Sequence, residues 1–404
     1  IEILRGGRGI AELVDLPVMT DPDTRMVMSM LTDVWASAYI LGQSTLARLI
    51  SATLVRLSLE HGNVEESAYG YVTHAITVGP VRGDYAAAYE FGWLALGVNE
   101  RFGDARRRAK IYQQFHAHVN LWCRPWRTCI TYAREACRSG LESGDYLYAA
   151  YGAGTEPWSA IVATQDLAQF VADYTPHVAL IEKLKNRGFA DSVRLILNWA
   201  KALHGSTLAP LSLSDPTLDE DEYVRRYAAN PFFATIHAVA RLQVCALLGT
   251  PAQALHAAQH SAGLAHQVPG TVWPVLHEFW HGIALAANMG AANAGPNTDS
   301  DQPEAWLAQL KRAQAMFEAL AVHCAENFLC QAKLLSAELA RIDGRHGDAL
   351  ALCEQVIEFA ADKPLLQFEA LAHELCGRLR LQSGQNGLAG MHLREAGARY
   401  RQWG

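Results

Sequence analysis

Apolar residues along the chain recur at three- and four-residue steps, and glycine interrupts them at short intervals. Leu46, Leu49, Ile50, Leu54 and Leu57 follow this rule until His61-Gly62-Asn63 ends the stretch. Such a period predicts an amphipathic helix with one apolar face. Further breaks fall at Val81-Arg82-Gly83-Asp84, Phe102-Gly103-Asp104, Ser143-Gly144-Asp145, Leu248-Gly249-Thr250-Pro251 and Asp343-Gly344. Glycine takes the left-handed conformation that closes a helix, and a following Asp or Thr caps the next one. Helix, short turn and helix, repeated along the chain, predict stacked α-hairpins.

The repeat is clearest near the C-terminus. Gly344 and Gly347 recur as Gly384 and Gly387, an offset of 40, and Leu335, Leu339 and Ala349 match Leu375, Leu379 and Ala389 at the same offset. Phe368, Leu371, Leu375 and Leu379 form the apolar stripe of one such helix. Arg378 and Arg380 lie near its C-terminal end, where the helix dipole favours cations. The unit is longer than the roughly 34 residues of a tetratricopeptide repeat, or TPR. The expected fold is therefore all-α, an α-hairpin repeat superhelix that is TPR-like with irregular repeats.

The best internal boundary is Leu203 to Asp221, with Gly205-Ser206-Thr207, two prolines and the run Leu218-Asp219-Glu220-Asp221-Glu222. It divides an N-terminal helical-repeat half, 1–210, from a C-terminal TPR-like half, 211–404. The acidic run reads as a solvated loop entering a helix N-terminus, with a protein-docking patch as the alternative. A second loop, Gly290 to Pro303, is rich in Ala, Asn, Gly and Asp and is expected to be mobile.

Composition narrows the function. The 404 residues suffice for two or three domains or one solenoid. At 50% hydrophobic and 19% charged the chain can bury a large core, and its wealth of Ala and Leu favours helix over sheet. A formal charge of −7 leaves no basic footprint for nucleic acid. Eight cysteines are scattered without a CxxC pair, which reads as small buried thiols in a reducing compartment. No uninterrupted apolar run approaches the ~18 residues that span a bilayer. There is no signal peptide, and the start at Ile1 suggests a fragment excised from a larger cytoplasmic protein.

The sharpest chemical pattern is His277-Glu278-Phe279-Trp280-His281, a formal HExxH. On a helix the two imidazoles share one face and could hold zinc, with Glu278 as general base. Against this, chance yields the pattern in roughly a few per cent of chains this size with 16 histidines. No HxxGxxH extension follows, and Asp299, Asp301 and Glu304 lie in or beside the Gly/Asn-rich stretch, a poor place to fix a third ligand. The ordinary reading is a core helix in which Phe279 and Trp280 pack and the histidines are edge residues.

Other chemistry is absent from the pattern or weak. There is no GxxxxGK[ST] phosphate loop and no GxSxG elbow. Arg5-Gly6-Gly7-Arg8-Gly9 lacks strand-turn-helix context and reads as a flexible terminus. Arg101, Arg106, Arg107, Arg108 and Lys110 form a basic cluster that meets either an acidic partner or, the better reading, solvent. Aromatics gather at Trp122, Trp126 and Tyr132 and at Tyr146, Tyr148, Tyr151 and Trp158. They read mainly as inter-repeat core, with a groove for a peptide or small ligand as the alternative.

Several ordered segments resemble a known region. They are Leu16-Pro17-Val18-Met19-Thr20-Asp21-Pro22, Gly62-Asn63 with Ser67-Ala68-Tyr69-Gly70-Tyr71, and Gly83-Asp84-Tyr85 with Tyr89-Glu90-Phe91-Gly92. Gly140-Leu141-Glu142-Ser143-Gly144-Asp145 and Ala398-Arg399-Tyr400-Arg401-Gln402-Trp403-Gly404 continue the series. Together the chain resembles the helical-repeat segment of large multidomain signalling proteins. Their usual order is a Ser/Thr-kinase-like domain, a STAND-type AAA ATPase, this segment, then a GAF domain and a histidine kinase or other output. The resemblance implies a sensor and scaffold that holds the ATPase off until an inducer or partner binds. It brings no catalytic, metal or cofactor residue with it, and a His-Glu pair before the aromatic helix is not a hallmark of that family.

The sequence thus leads to a non-catalytic regulatory segment of a signal-transduction protein. Its expected partners are other domains of the same polypeptide or partner proteins, with a possible small-molecule inducer and neither nucleic acid nor membrane. The alternatives are a small-molecule-binding sensor domain and, less favoured, a zinc hydrolase through His277, Glu278 and His281.

Overall fold

The computed structural model describes residues 1–292 and 302–404. Most of the expected loop Gly290 to Pro303, including Asp299 and Asp301, lies outside the described residues.

A two-residue left-handed turn reverses the chain again and again. At Gly344 (φ 76°) the amide donates to the Arg341 carbonyl at 3.1 Å, and the next amide, of Arg345, reaches the Ala340 carbonyl at 2.8 Å. These bonds satisfy carbonyls that a helix end otherwise leaves free. Forty residues later the geometry repeats: Gly384 (φ 72°) donates to Leu381 at 3.0 Å and Gln385 to Arg380 at 2.8 Å. The turns at Gly42, Gly103 and Gly205 follow the same scheme. At Lys185 (φ 62°) the turn forms without glycine. The capping reading also holds. Asp84, Asp104, Asp145 and Thr250 each accept a hydrogen bond from an amide in the first turn of the helix that follows.

The elements run as follows. The chain opens with α1 (Glu2–Arg5), a 3₁₀ turn (Ala11–Asp15), α2 (Pro22–Ile40), α3 (Ser44–His61) and α4 (Ser67–Ile76). A π turn (Thr77–Val81) leads to α5 (Tyr85–Phe102) and α6 (Ala105–Gln114). A second π turn (Phe115–Asn120) joins α6 to the short α7 (Leu121–Cys123). Then come α8 (Trp126–Ser143), α9 (Tyr146–Ala163), α10 (Leu167–Lys183), α11 (Arg187–Leu203) and α12 (Glu220–Tyr227). α13 (Pro231–Leu248), α14 (Pro251–Ala265), α15 (Trp273–Ala292) and α16 (Gln302–His323) follow. The last are α17 (Ala325–Ile342), α18 (His346–Asp362), α19 (Leu366–Gln382) and α20 (Asn386–Trp403). Among the described residues there is no β-strand, only two isolated bridges.

Consecutive helices pack in neighbouring pairs, as in α8/α9, α10/α11, α13/α14, α16/α17 and α19/α20. Alternate helices also touch along α9, α11, α13, α15 and α17. Buried apolar side chains form two clusters, one from Ile10 to Val119 and a larger one from Leu121 to Trp403. The expected division at 210/211 falls inside the larger cluster, to which both Trp199 and Ile236 belong. The segment between α11 and α12 is docked rather than free. Leu213 is fully buried, its carbonyl accepts from Asn198 Nδ2 at 2.9 Å, and Asp215 pairs with Lys201 at 2.5 Å. Within the acidic run Asp219 caps α12, and Glu220 is bound by His237 at 2.8 Å and by Arg241.

The C-terminal helices return to the middle of the chain. Gln367 Nε2 donates to the Val162 carbonyl and Trp403 Nε1 to the Thr164 carbonyl, each at 3.1 Å. Asn327, 2% exposed on α17, holds the bend between α7 and α8. Its Oδ1 accepts from Trp126 N at 2.9 Å, and its Nδ2 donates to the Leu121 and Arg124 carbonyls, both at 2.8 Å.

One expectation needs correction. On α3, Ile50, Leu54 and Leu57 are buried but Leu46 and Leu49 are exposed, so the buried face is narrower than the leucine spacing implied. One described helix, α13, passes by length and mean hydropathy as able to cross a membrane, but His237, Arg241 and Gln243 interrupt its apolar run, as expected, and most of it is buried in the chain's own core.

Asn327→Ala leaves the buried Trp126 amide and Leu121 carbonyl without their side-chain partner and frees the Arg124 carbonyl. The expected loss is about 3 kcal/mol of unfolding free energy, read by urea denaturation.

Candidate functional site

Three places were candidates for chemistry or binding. The first is the HExxH helix, α15. His277 and His281 lie one turn apart with ring centroids 5.1 Å apart, and both are buried. Ser261 Oγ donates to the Ala258 carbonyl, so His277 Nδ1 donates to Ser261 Oγ at 2.7 Å, leaving its Nε2 bare and without a partner. His281 has the opposite tautomer, because its Nδ1 accepts from Gln309 Nε2 at 3.0 Å. Burial lowers the two pKa values to about 3 and about 4 and raises that of Glu278. Among the described residues no group of three or more His, Cys, Asp or Glu is placed to hold a metal ion, and Glu304 is exposed. Phe279 and Trp280 pack in the core, Phe279 against Phe317 and Phe368.

The second is the basic cluster. Arg101 donates to the Val14 and Leu16 carbonyls, Arg107 pairs with Asp104 and Glu66, Arg108 with Glu135, and Lys110 with Asp33. Of the five, Arg106 is the one that keeps its side chain in solvent without such a bond. Neither an acidic partner's patch nor a purely solvated face describes it; the cations tie helices together.

The third is an aromatic cavity of about 250 Å³. α2 supplies Trp35 and Tyr39, α6 supplies Gln113 and Gln114, and the π turn supplies His118. α9 adds Tyr148 and Tyr151, and the starts of α11 and α13 add Phe189, Phe232 and Phe233. Trp35 and Tyr39 stack at 5.1 Å with their planes 9° apart, and Tyr151 meets Phe189 at 4.7 Å. Tyr148 bonds Tyr69 hydroxyl to hydroxyl at 3.2 Å. Trp35 belongs to the smaller core cluster and Phe189 to the larger, so the cavity lies on the seam between them.

Sequence reasoning marked Tyr148 and Tyr151 and missed the rest of this lining. Tyr146 is exposed, and Trp158 is core, tilted against Phe232 at 5.0 Å. Trp122 and Trp126 are also core, against Phe328, while Tyr132 packs on Phe115. Comparison of the sequence with models of known protein families and with curated proteins gives no match.

Two outcomes follow from these geometries. Purified without chelators, the protein is expected to carry no stoichiometric zinc by elemental analysis; one equivalent lost on His277→Gln would establish the metal site. The second concerns acid. Burial holds His74, His118 and His281 at about 4 and His116 and His277 at about 3. Unfolded, each titrates near 6.5, so between these values the unfolded chain binds more protons than the folded one. Stability present above about pH 6.5 is therefore lost as the pH falls toward 4. The urea midpoint should fall steadily across that window, and His277→Gln should flatten the slope by up to about one proton.

Proposed function

We propose that this chain is a non-catalytic regulatory scaffold, a TPR-like α-hairpin superhelix serving an intracellular signal-transduction protein. The supporting observation is an unpartnered apolar stripe on α2. Met26, Met30 and Val34, four residues apart in turn, are 64%, 62% and 49% exposed, with Val27 beside them at 44%. The terminal hairpin of a solenoid ordinarily turns a polar face outward. A row of half-exposed Met and Val marks a contact surface instead. In this reading the partner is a neighbouring domain of the same polypeptide, the STAND ATPase, the kinase-like domain or the GAF and output modules that the sequence resemblance implies, or a separate protein.

Inducer sensing belongs to the same proposal. A ligand in the seam cavity touches helices of both core clusters, so it favours one packing of the two clusters over another, and the shift passes to whatever covers α2. A reducing cytoplasm, no cofactor and no nucleic-acid or membrane partner complete the proposal.

The test is binding of the adjoining ATPase module, prepared as a separate polypeptide and measured by titration calorimetry. The expected result is a complex that Met26→Glu with Met30→Glu weakens by at least about tenfold. Because both side chains face solvent, the urea midpoint of the variant should stay close to that of the parent. No complex, or one indifferent to these substitutions, would overturn the reading.

A further inference from the structure

The segment Gln113 to Asn120 contains a concentration of buried polar groups that the scaffold does not require. Gln113, Gln114, His116, His118 and Asn120 are each 5% exposed or less. Four of their atoms have no hydrogen-bond partner: Gln114 Oε1, His116 Nδ1, His118 Nδ1 and Asn120 Oδ1. Buried polar groups in folded chains are nearly always paired, because each unmet one is costly. The segment also contains the π turn, a geometry that recurs at functional sites. Trp35 Nε1, a donor only, is the fifth unmet atom, and it belongs to a side chain that lines the same cavity as Gln114 and His118.

We infer that the seam cavity is a binding site for an uncharged planar aromatic or heteroaromatic molecule that carries both a hydrogen-bond donor and an acceptor. The inference rests on the sensing part of the proposed function and names the class of its ligand. Three observations determine the class. The lining contains no Asp, Glu, Lys or Arg, so a charged ligand would be buried without a counter-ion. His118 stays neutral under ordinary conditions, since burial keeps its pKa near about 4. Lys110, which lies over the Tyr148 ring at 5.3 Å, is already engaged with Asp33 at 3.8 Å.

The walls supply the rest of the recognition. Trp35, Tyr39, Tyr148, Tyr151 and Phe189 offer ring faces and edges for offset or edge-on packing. Gln114 Oε1 is an acceptor in search of a donor, and Trp35 Nε1 is a donor in search of an acceptor. The volume of about 250 Å³ equals about eight waters at liquid density, which suits one ring or two fused rings.

An isosteric series tests the class on the full chain. Benzamide is neutral, planar and carries a donor and an acceptor; benzoate and benzamidine have the same outline with opposite charges; cyclohexanecarboxamide keeps the amide and loses the ring. Calorimetry should show saturable benzamide binding, with each of the other three at least about tenfold weaker. Ala36→Phe, which fills the cavity from the α2 side, should abolish benzamide binding. If that variant does not fold, Gln114→Leu decides, with an expected loss of at least about fivefold. Absence of saturable benzamide binding overturns the inference, as does equal binding of either charged isostere or undiminished binding by a folded variant. Failure of the scaffold reading is read separately: Met26→Glu with Met30→Glu leaves benzamide binding intact, and ATPase capture is measured without benzamide.

Discussion

A helix that ends on a left-handed residue must reverse its chain within two positions, and the architecture of this molecule depends on that constraint. The amide pair at Gly344 and Arg345, repeated at Gly384 and Gln385, fixes the exit direction of one helix and the entry of the next. Neighbouring helices therefore lie against each other as pairs. A two-helix hairpin has more apolar surface than one partner can cover, so each pair buries its second face against the next, as the contacts among α9, α11, α13, α15 and α17 show. Stacking is thus a consequence of the turns combined with the apolar period.

Two side-chain amides close the stack. Gln367 and Asn327 each bind backbone groups roughly two hundred residues earlier, at Val162 and at the α7–α8 bend. An open row of hairpins needs no such bonds. They tie the far end of the chain to its middle, and the larger core cluster includes residues from Leu121 through Trp403. Among the described residues the buried apolar side chains fall into these two clusters, and the aromatic cavity lies on the seam between them.

What the sequence made legible follows from how local each cause is. A positive φ favours glycine, and so Gly103, Gly144, Gly344 and Gly384 disclosed their turns. Lys185 pays for the same conformation without advertising it, and the break before α11 went unseen. The π turns depend on how a whole helix seats, so Phe115–Asn120 has no signature of its own. The basic cluster misled for a similar reason: the carboxylates that occupy it, Glu66, Glu135 and Asp33, come from elsewhere in the chain. Of the cavity, Tyr148 and Tyr151 were visible as composition. Trp35, Gln114 and His118 are brought beside them only by packing between helices distant in sequence.

The contrast between the two buried histidine groups shows why motif and environment must be weighed together. His277 and His281 match a metal-binding pattern, yet the Nδ1 of each is engaged by a neutral partner, and among the described residues no third ligand is placed beside them. His116 and His118 match no pattern. His116 Nε2 is held by Thr155 at 2.8 Å, but its Nδ1 and that of His118 are bare, and two amide oxygens beside them are bare as well. At the metal-like pair the unmatched atom is His277 Nε2 alone. Gln114, His118 and Trp35 differ in that each carries an unmatched atom and lines the uncharged aromatic cavity, so a ligand there can supply missing bonds whose desolvation cost the folded state otherwise carries. The physical argument for a site thus attaches to the segment without a motif, on the seam where a bound molecule would touch both halves of the core.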